Sequence, residues 1–222
     1  MLTLYHHWLS PFCRKARIAL REKNLDFTLE LEPVWERRAD FLLLNPAGTV
    51  PVLVDDDDTV VAESNAICEY IDETRPDPPL LGRTAAQRAE TRRLVAWFDD
   101  KFNREVTSHL YGEKVMKRYA KVGEPNSAAI RAGKANLRYH LDYIAWLTDR
   151  RNWLAGETFS LADIAAGAHL SVLDYLDDVP WDEFEDAKLW YQRIKSRPSF
   201  RPLLADQAPG FRPSRHYADL DF

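Results

Sequence analysis

Cysteine is nearly absent from this chain: two residues, Cys13 and Cys68, stand among 222. That excludes a disulfide framework and the small stapled scaffolds that depend on one. One Cys13–Cys68 bridge stays open from sequence, and a reducing compartment argues against it. Six histidines and two cysteines show no metal-ligand spacing, and His6 and His7 would face opposite ways on a strand. No metal site is read. Excess positive charge is also missing, since 30 basic residues meet 35 acidic ones for a net −5. Nothing here would draw in nucleic acid or an anionic membrane. No apolar run approaches the roughly 20 residues that cross a bilayer. The first residues lack the basic and apolar regions of a signal peptide, so a cytoplasmic location is expected.

What the chain does have is core material, with 45% hydrophobic residues, seven Trp, nine Tyr and ten Phe. Its length suits one large domain or two small ones. Leu2–His6 reads as a strand. Ser10-Pro11 punctuates, and Phe12, Ala16, Ala19 and Leu20 follow at helical spacing. Pro11 suits a first helical turn. Arg14, Lys15, Arg17 and Arg21 beside Glu22 read as a solvated helix face. Phe27–Leu31 alternates as a second strand, parallel to the first. A short helix is expected over Trp35–Leu44, then a hairpin, Val50–Val54 and Thr59–Ala62, around the turn Asp55–Asp58. A helix follows from about Asn65 to Glu73. Arg75-Pro76-Asp77-Pro78-Pro79 cannot be helical. Beyond it only helices are read: Ala85–Val106, Ala128–Thr148, Ser160–Tyr175 and Ala187–Ser196. From Asp206 onward the chain reads as an extended tail.

Three motifs carry chemistry or identity. Ser10-Pro11-Phe12-Cys13 opens the first helix, where free N–H groups and a partial positive charge stabilise an anion. The spacing is that of Cys-x-x-Cys with Ser first, so dithiol redox chemistry is removed. Ser10 can donate a hydrogen bond to an external thiolate. A charge-assisted bond of roughly 1.5–3 kcal/mol lowers a thiol pKa by about one to two units. Taken alone, Ser10 is more simply an N-cap and Cys13 a small buried residue. Val50-Pro51 places a proline at the start of an interior strand, tolerable if the bond is cis, and exposes the Val50 backbone to a peptide-like ligand. Glu63-Ser64 begins the next helix, where the hydroxyl and amides suit a carboxylate and Glu63 an ammonium group. Each has a plain structural reading as a turn or a cap. Ser160-Leu161-Ala162-Asp163 is a capping box, and its role is structural.

In combination these motifs are specific. Ser10-Pro11-Phe12-Cys13-Arg14, Asn45-Pro46-Ala47-Gly48-Thr49-Val50-Pro51 and Ala62-Glu63-Ser64-Asn65 occur in order on the expected elements. The chain resembles the cytosolic glutathione transferase superfamily over roughly residues 1–205. The resemblance implies an α/β thioredoxin-like domain (1–76), an all-α C-terminal domain (84–205) and a tail (206–222). It places Ser10 at the thiol-activating position, Val50 and the cis-proline Pro51 at the cysteinyl part of glutathione, and Glu63 and Ser64 at its γ-glutamyl end. It also implies a homodimer and no metal. Trp35-Glu36-Arg37-Arg38, Val179-Pro180-Trp181 and the ending His216-Tyr217-Ala218-Asp219-Leu220-Asp221-Phe222 are further similar to GST-like division proteins of alphaproteobacteria that bind the tubulin homologue FtsZ.

Two functions are therefore carried forward. In the first, an enzyme binds glutathione and directs its thiolate at a small electrophile, with Trp8 and Tyr111 as candidate pocket walls. In the second, the fold is a non-catalytic scaffold for FtsZ, with Trp35, Asp219 and Phe222 as candidate contacts. The tail is too apolar for simple disorder. It would dock on its own domain or present Phe222 to a partner. Thiol–disulfide exchange at Cys13 ranks third.

Overall fold

The computed structural model describes all 222 residues, Met1–Phe222. Strand β1 (Leu2–His6), helix α1 (Pro11–Glu22) and strand β2 (Phe27–Leu31) form the opening β-α-β unit. A short helical turn, Val34–Glu36, precedes α2 (Ala39–Leu44). Strands β3 (Val52–Val54) and β4 (Val60–Ala62) make the hairpin, and α3 (Ser64–Thr74) closes the unit. The sheet order is β2-β1-β3-β4, with β1 parallel to β2 and the other pairs antiparallel. This is the thioredoxin-like arrangement. The helix expected over Trp35–Leu44 is broken in two, because Arg37 turns left-handed at φ 49°. The Val50–Pro51 bond is cis, as is Asp77–Pro78.

The remainder is helical. Helix α4 (Ala85–Ala96) runs without a break through a wide-wound π stretch, Trp97–Met116, into α5 (Lys117–Ala120). It therefore extends well beyond Val106. At the end of the π stretch the capping Lys117 N–H reaches back five residues to the Gly112 carbonyl. Helix α6 (Ser127–Thr148) packs along this rod. Gly133 permits the close approach, since a Cβ there would lie 2.8 Å from the His109 Cβ. Every residue of α7 (Leu161–Tyr175) is buried, and α8 (Glu185–Lys195) and α9 (Arg201–Leu204) complete the layer. The Ser160 capping box forms: Asp163 accepts from the Ser160 and Leu154 amides at 3.0 and 2.9 Å and from the Trp190 indole at 3.1 Å. That Asp163 binds a neighbouring loop and α8 makes this cap a tertiary joint. No helix is long and apolar enough to cross a membrane.

Helix α1 overturns one reading. Arg14 and Lys15 are fully buried and Arg17 nearly so, where a solvated face was expected. The helix is wedged between α3 and α7, so its cations must find partners inside. Lys15 Nζ donates to Asn65 Oδ1 at 2.7 Å and pairs with Asp99. Arg14 donates to Ser171 Oγ at 2.9 Å and to the Tyr217 hydroxyl at 2.8 Å. Arg17 holds Asp206. The tail is likewise not extended. It folds back on α1 and α7, burying Asp206, Ala208 and Tyr217. With Leu9, Tyr111, Val115, Val172 and Tyr175, the last two build a small second core.

Candidate functional site

A cavity of about 320 Å³ lies where the β1–α1 turn and the β3 entrance face the π stretch. His7, Ser10 and Val50 line it from the first domain, and Asn103, Tyr111 and Met116 from the second. The wide winding of the rod thus coincides with the wall of the cavity, a common place for such stretches.

Ser10 is the N-cap of α1. Its Oγ accepts the Cys13 N–H at 3.3 Å, which leaves the hydroxyl proton free to donate. Cys13 sits behind it, fully buried, with its Sγ accepting the His7 N–H at 3.4 Å. Burial pushes the Cys13 thiol up to about 11, so it is not a thiolate at neutral pH. Cys68 is equally buried and free, and no bridge joins the two. Val50 makes no backbone–backbone hydrogen bond through either its N–H or its carbonyl. Thr49 cannot substitute, because its carbonyl is taken by Asn45 Nδ2 at 2.8 Å. An extended peptide would find its pairing edge at Val50.

Glu63 and Ser64 are not brought into this cavity. Glu63 has a left-handed φ of 78° and caps its own helix. Its carboxylate accepts from the Asn65 and Ala66 amides at 2.9 and 3.3 Å and from Ser64 Oγ at 3.0 Å. Two of the amides at the helix start that sequence assigned to a ligand carboxylate, those of Asn65 and Ala66, are thus held by Glu63 itself. Pro51, buried one residue past the cavity, serves to position Val50.

The two candidate aromatic walls separate. Tyr111 lines the cavity, and its hydroxyl lies 3.4 Å from His7 Nδ1. Burial holds the His7 imidazole down to about 4 and raises the Tyr111 phenol well above its ordinary range. Both are neutral at pH 7. Trp8 is outside: it packs edge-on against His6 at 4.6 Å and beneath the Arg17 guanidinium at 5.6 Å. Successive side chains leaving a strand point opposite ways, so the wall falls to His7 rather than Trp8. Sequence reasoning missed His7, Asn103 and Met116. The parity of His6 and His7 relative to Ser10 was the available signal for the first. The others follow only from knowing which face of the rod meets α1.

Trp35, half-buried, stacks on Tyr119 with ring centres 5.1 Å apart and planes at 14°. Asp219 and Phe222 belong to a different place. With Trp181, Lys188 and His216 they border a surface hollow of about 550 Å³ that shares no residue with the first cavity. The Phe222 ring stacks on His216 at 5.0 Å and lies 4.0 Å from Lys195 Nζ.

Known families match this architecture. Residues 9–74 fit the glutathione S-transferase N-terminal domain and residues 119–198 the glutathione S-transferase C-terminal domain. The chain belongs to the glutathione S-transferase family. Among its transferase-family relatives, FtsZ-localized protein A of Caulobacter vibrioides is 52% identical over 99% of this chain and 98% of that protein. A solved structure of FzlA from C. crescentus superposes with a TM-score of 0.97, covering 100% of this chain and 99% of that one. A glutathione S-transferase from Rhodospirillum rubrum F11 superposes at 0.98, with 57% identity and full coverage of both chains. Glutathione S-transferase 2 of Saccharomyces cerevisiae is 29% identical over 91% of this chain and 89% of its own length.

Proposed function

We propose that this chain is a GST-fold scaffold that associates with FtsZ filaments in bacterial cell division. The observation that carries the reading is identity of 52% along 99% of the chain to a protein named for its localisation with FtsZ. Geometry supports it in two ways. The tail is a folded surface whose hollow joins an aromatic floor, Trp181 and Phe222, to charged groups at Asp219 and Lys188. Two of the amides expected to receive a γ-glutamyl carboxylate, those of Asn65 and Ala66, are occupied by Glu63. Co-sedimentation with polymerised FtsZ tests the reading. The chain should pellet with filaments, and Asp219→Lys and Phe222→Ala should weaken pelleting. A wild-type chain that stays in the supernatant overturns it.

A second reading keeps catalysis, and the joint presence of Ser10 and Val50 in one cavity favours it. Glutathione would pair its cysteinyl backbone with Val50. The thiol proton would pass to solvent water, and the Ser10 hydroxyl would donate to the sulfur and hold it as thiolate. The thiolate would form a sulfur–carbon bond with a small electrophile resting on Tyr111, and the leaving group would depart with its electron pair. The γ-glutamyl carboxylate would meet the Ser64 N–H, which Glu63 does not hold, because Glu63 occupies the next two α3 amides. Calorimetric titration with glutathione, followed by a conjugation assay on Ser10→Ala, tests this. No heat of binding removes the enzyme, and binding without turnover leaves a ligand site on a scaffold. A homodimer is part of both readings. The exposed aromatics Tyr139 (58%) and Trp146 (49%) on α6 support self-association, and sedimentation velocity measures it.

A further inference from the structure

The aromatic stack at Trp35 has a feature that neither functional reading uses. Trp35 follows Val34, which lines the interdomain cavity, and its ring partners are His7 and Tyr119, at 5.4 and 5.1 Å. His7 also meets Tyr119 edge-on at 5.2 Å. These three rings join the first domain to α5 at the edge of the cavity. Tyr119 is in turn held from behind. Its hydroxyl donates to the Pro209 carbonyl at 2.8 Å, and the Phe211 ring meets it at 5.5 Å.

A second line of contacts reaches the opposite wall. Asp206 and Tyr217 bind Arg17 and Arg14 on α1, the helix that begins at the cavity-lining pair Ser10-Pro11. Arg14 Nε also donates to the Trp8 carbonyl at 2.9 Å and so steadies the turn that carries His7. Residues 206–217 therefore brace both walls of one cavity.

We propose that residues 206–217 are a strap that latches Trp35 at the edge of the interdomain cavity, so that strap and latch hold or release together. Coupling of this kind is reciprocal. Loosening the latch must loosen the strap, and loosening the strap must loosen the latch, although Trp35 meets no strap ring itself. The device does not depend on which ligand enters the cavity. A ligand that parts Trp35 from Tyr119 would release the strap, and a partner that lifts the strap would open the cavity.

Hydrogen exchange read by mass spectrometry on the full chain tests this. The reporters are the strap amides of Ala208, Ser214 and Tyr217, bonded to Tyr175 and Ser214, and the latch amides of Val34, Glu36 and Arg37. Trp35→Ala should speed exchange of the strap amides by at least about threefold, and Phe211→Ala should do the same for the latch amides. Leu43→Ala, at an exposed site on α2 outside the latch, should change neither. Rates are taken relative to the buried α7 amides, which separates release of the strap from global unfolding. Effects confined to the mutated segment, or rising only in step with α7, overturn the proposal.

Discussion

Asp206 receives both terminal nitrogens of Arg17, at 2.7 and 2.8 Å, and a third contact from Arg14 at 3.4 Å. All three residues are buried, and 189 residues separate Asp206 from Arg17. Replacing Asp206 by Asn leaves two guanidinium groups inside without a counter-charge. Breaking a buried pair from one side costs about 3–5 kcal/mol. Asp206→Asn should lower the unfolding free energy measured in urea by that amount and expose Tyr217 to solvent. A loss below about 1 kcal/mol would mean that water reaches the arginines and that the tail is not tightly docked.

The buried histidines make stability depend on pH in a stated direction. Burial lowers His7 from 6.5 to about 4 and His6 to about 3, the latter with help from Arg17. Below pH 6.5 the unfolded chain takes up protons at these positions and the folded chain does not. Stability is therefore lost as pH falls from about 6.5 towards about 4, by about 1.4 kcal/mol per unit for each histidine at the limiting slope. Urea unfolding at pH 7, 6 and 5 measures it. His7→Gln should remove roughly one histidine's share of the slope, and an unchanged slope would show that His7 protonates readily in the folded state.

These two cases mark what was legible in the sequence. The strands, the order of the N-terminal elements and the cap at Ser160 are signalled by alternation, turn residues and cap spacing within about a dozen residues, so local pattern reports them although their pairing is long-range. The pairing of Arg14, Lys15 and Arg17 does not. Their partners come from Asn65, Asp99, Ser171, Asp206 and Tyr217, and no local spacing encodes that the helix is buried from Cys13 to Leu20, with only Arg21 left exposed. The tail looked extended for the same reason, since Asp206 and Tyr217 dock only because α1 waits with two unpaired cations. At the site, Ser10 and Val50 were readable from motifs. Glu63 was readable as a helix start, but not as the group that would occupy the amides of its own helix.

Glu63 combines a favourable cap with an unfavourable backbone. Its carboxylate satisfies two α3 amides, and loss of such a cap costs about 1 kcal/mol. Its φ of 78° is a conformation that glycine adopts freely. Glu63→Ala should therefore destabilise by about 1–2 kcal/mol, losing the cap and keeping the strain. Glu63→Gly should cost less than Glu63→Ala, which thermal melts of the two variants compare directly. The reverse order would show that the side-chain cap, and not the backbone, sets the conformation at this turn.

Cys13 occupies the second cysteine position of a redox motif, yet its surroundings withhold reactivity. Burial pushes Cys13 up to about 11 and Cys68 up to about 12, and both thiols are enclosed. The nearest contacts of Cys13, the Ser10 hydroxyl and the His7 amide, pull the other way without overcoming that burial. A thiol must be deprotonated and reachable to attack a disulfide reagent. Native protein at pH 7.5 should then react with an aromatic disulfide such as DTNB only as fast as it opens, with both thiols released together in denaturant. Ser10→Cys would place a second sulfur at the cavity wall, where a hydroxyl now stands. That variant restores the Cys-x-x-Cys pair, so it should react fast at the exposed new sulfur and release a second equivalent as Cys13 displaces the label to close a disulfide. Rapid labelling of wild-type Cys13 would instead assign the site to thiol chemistry and remove Ser10 from its proposed role.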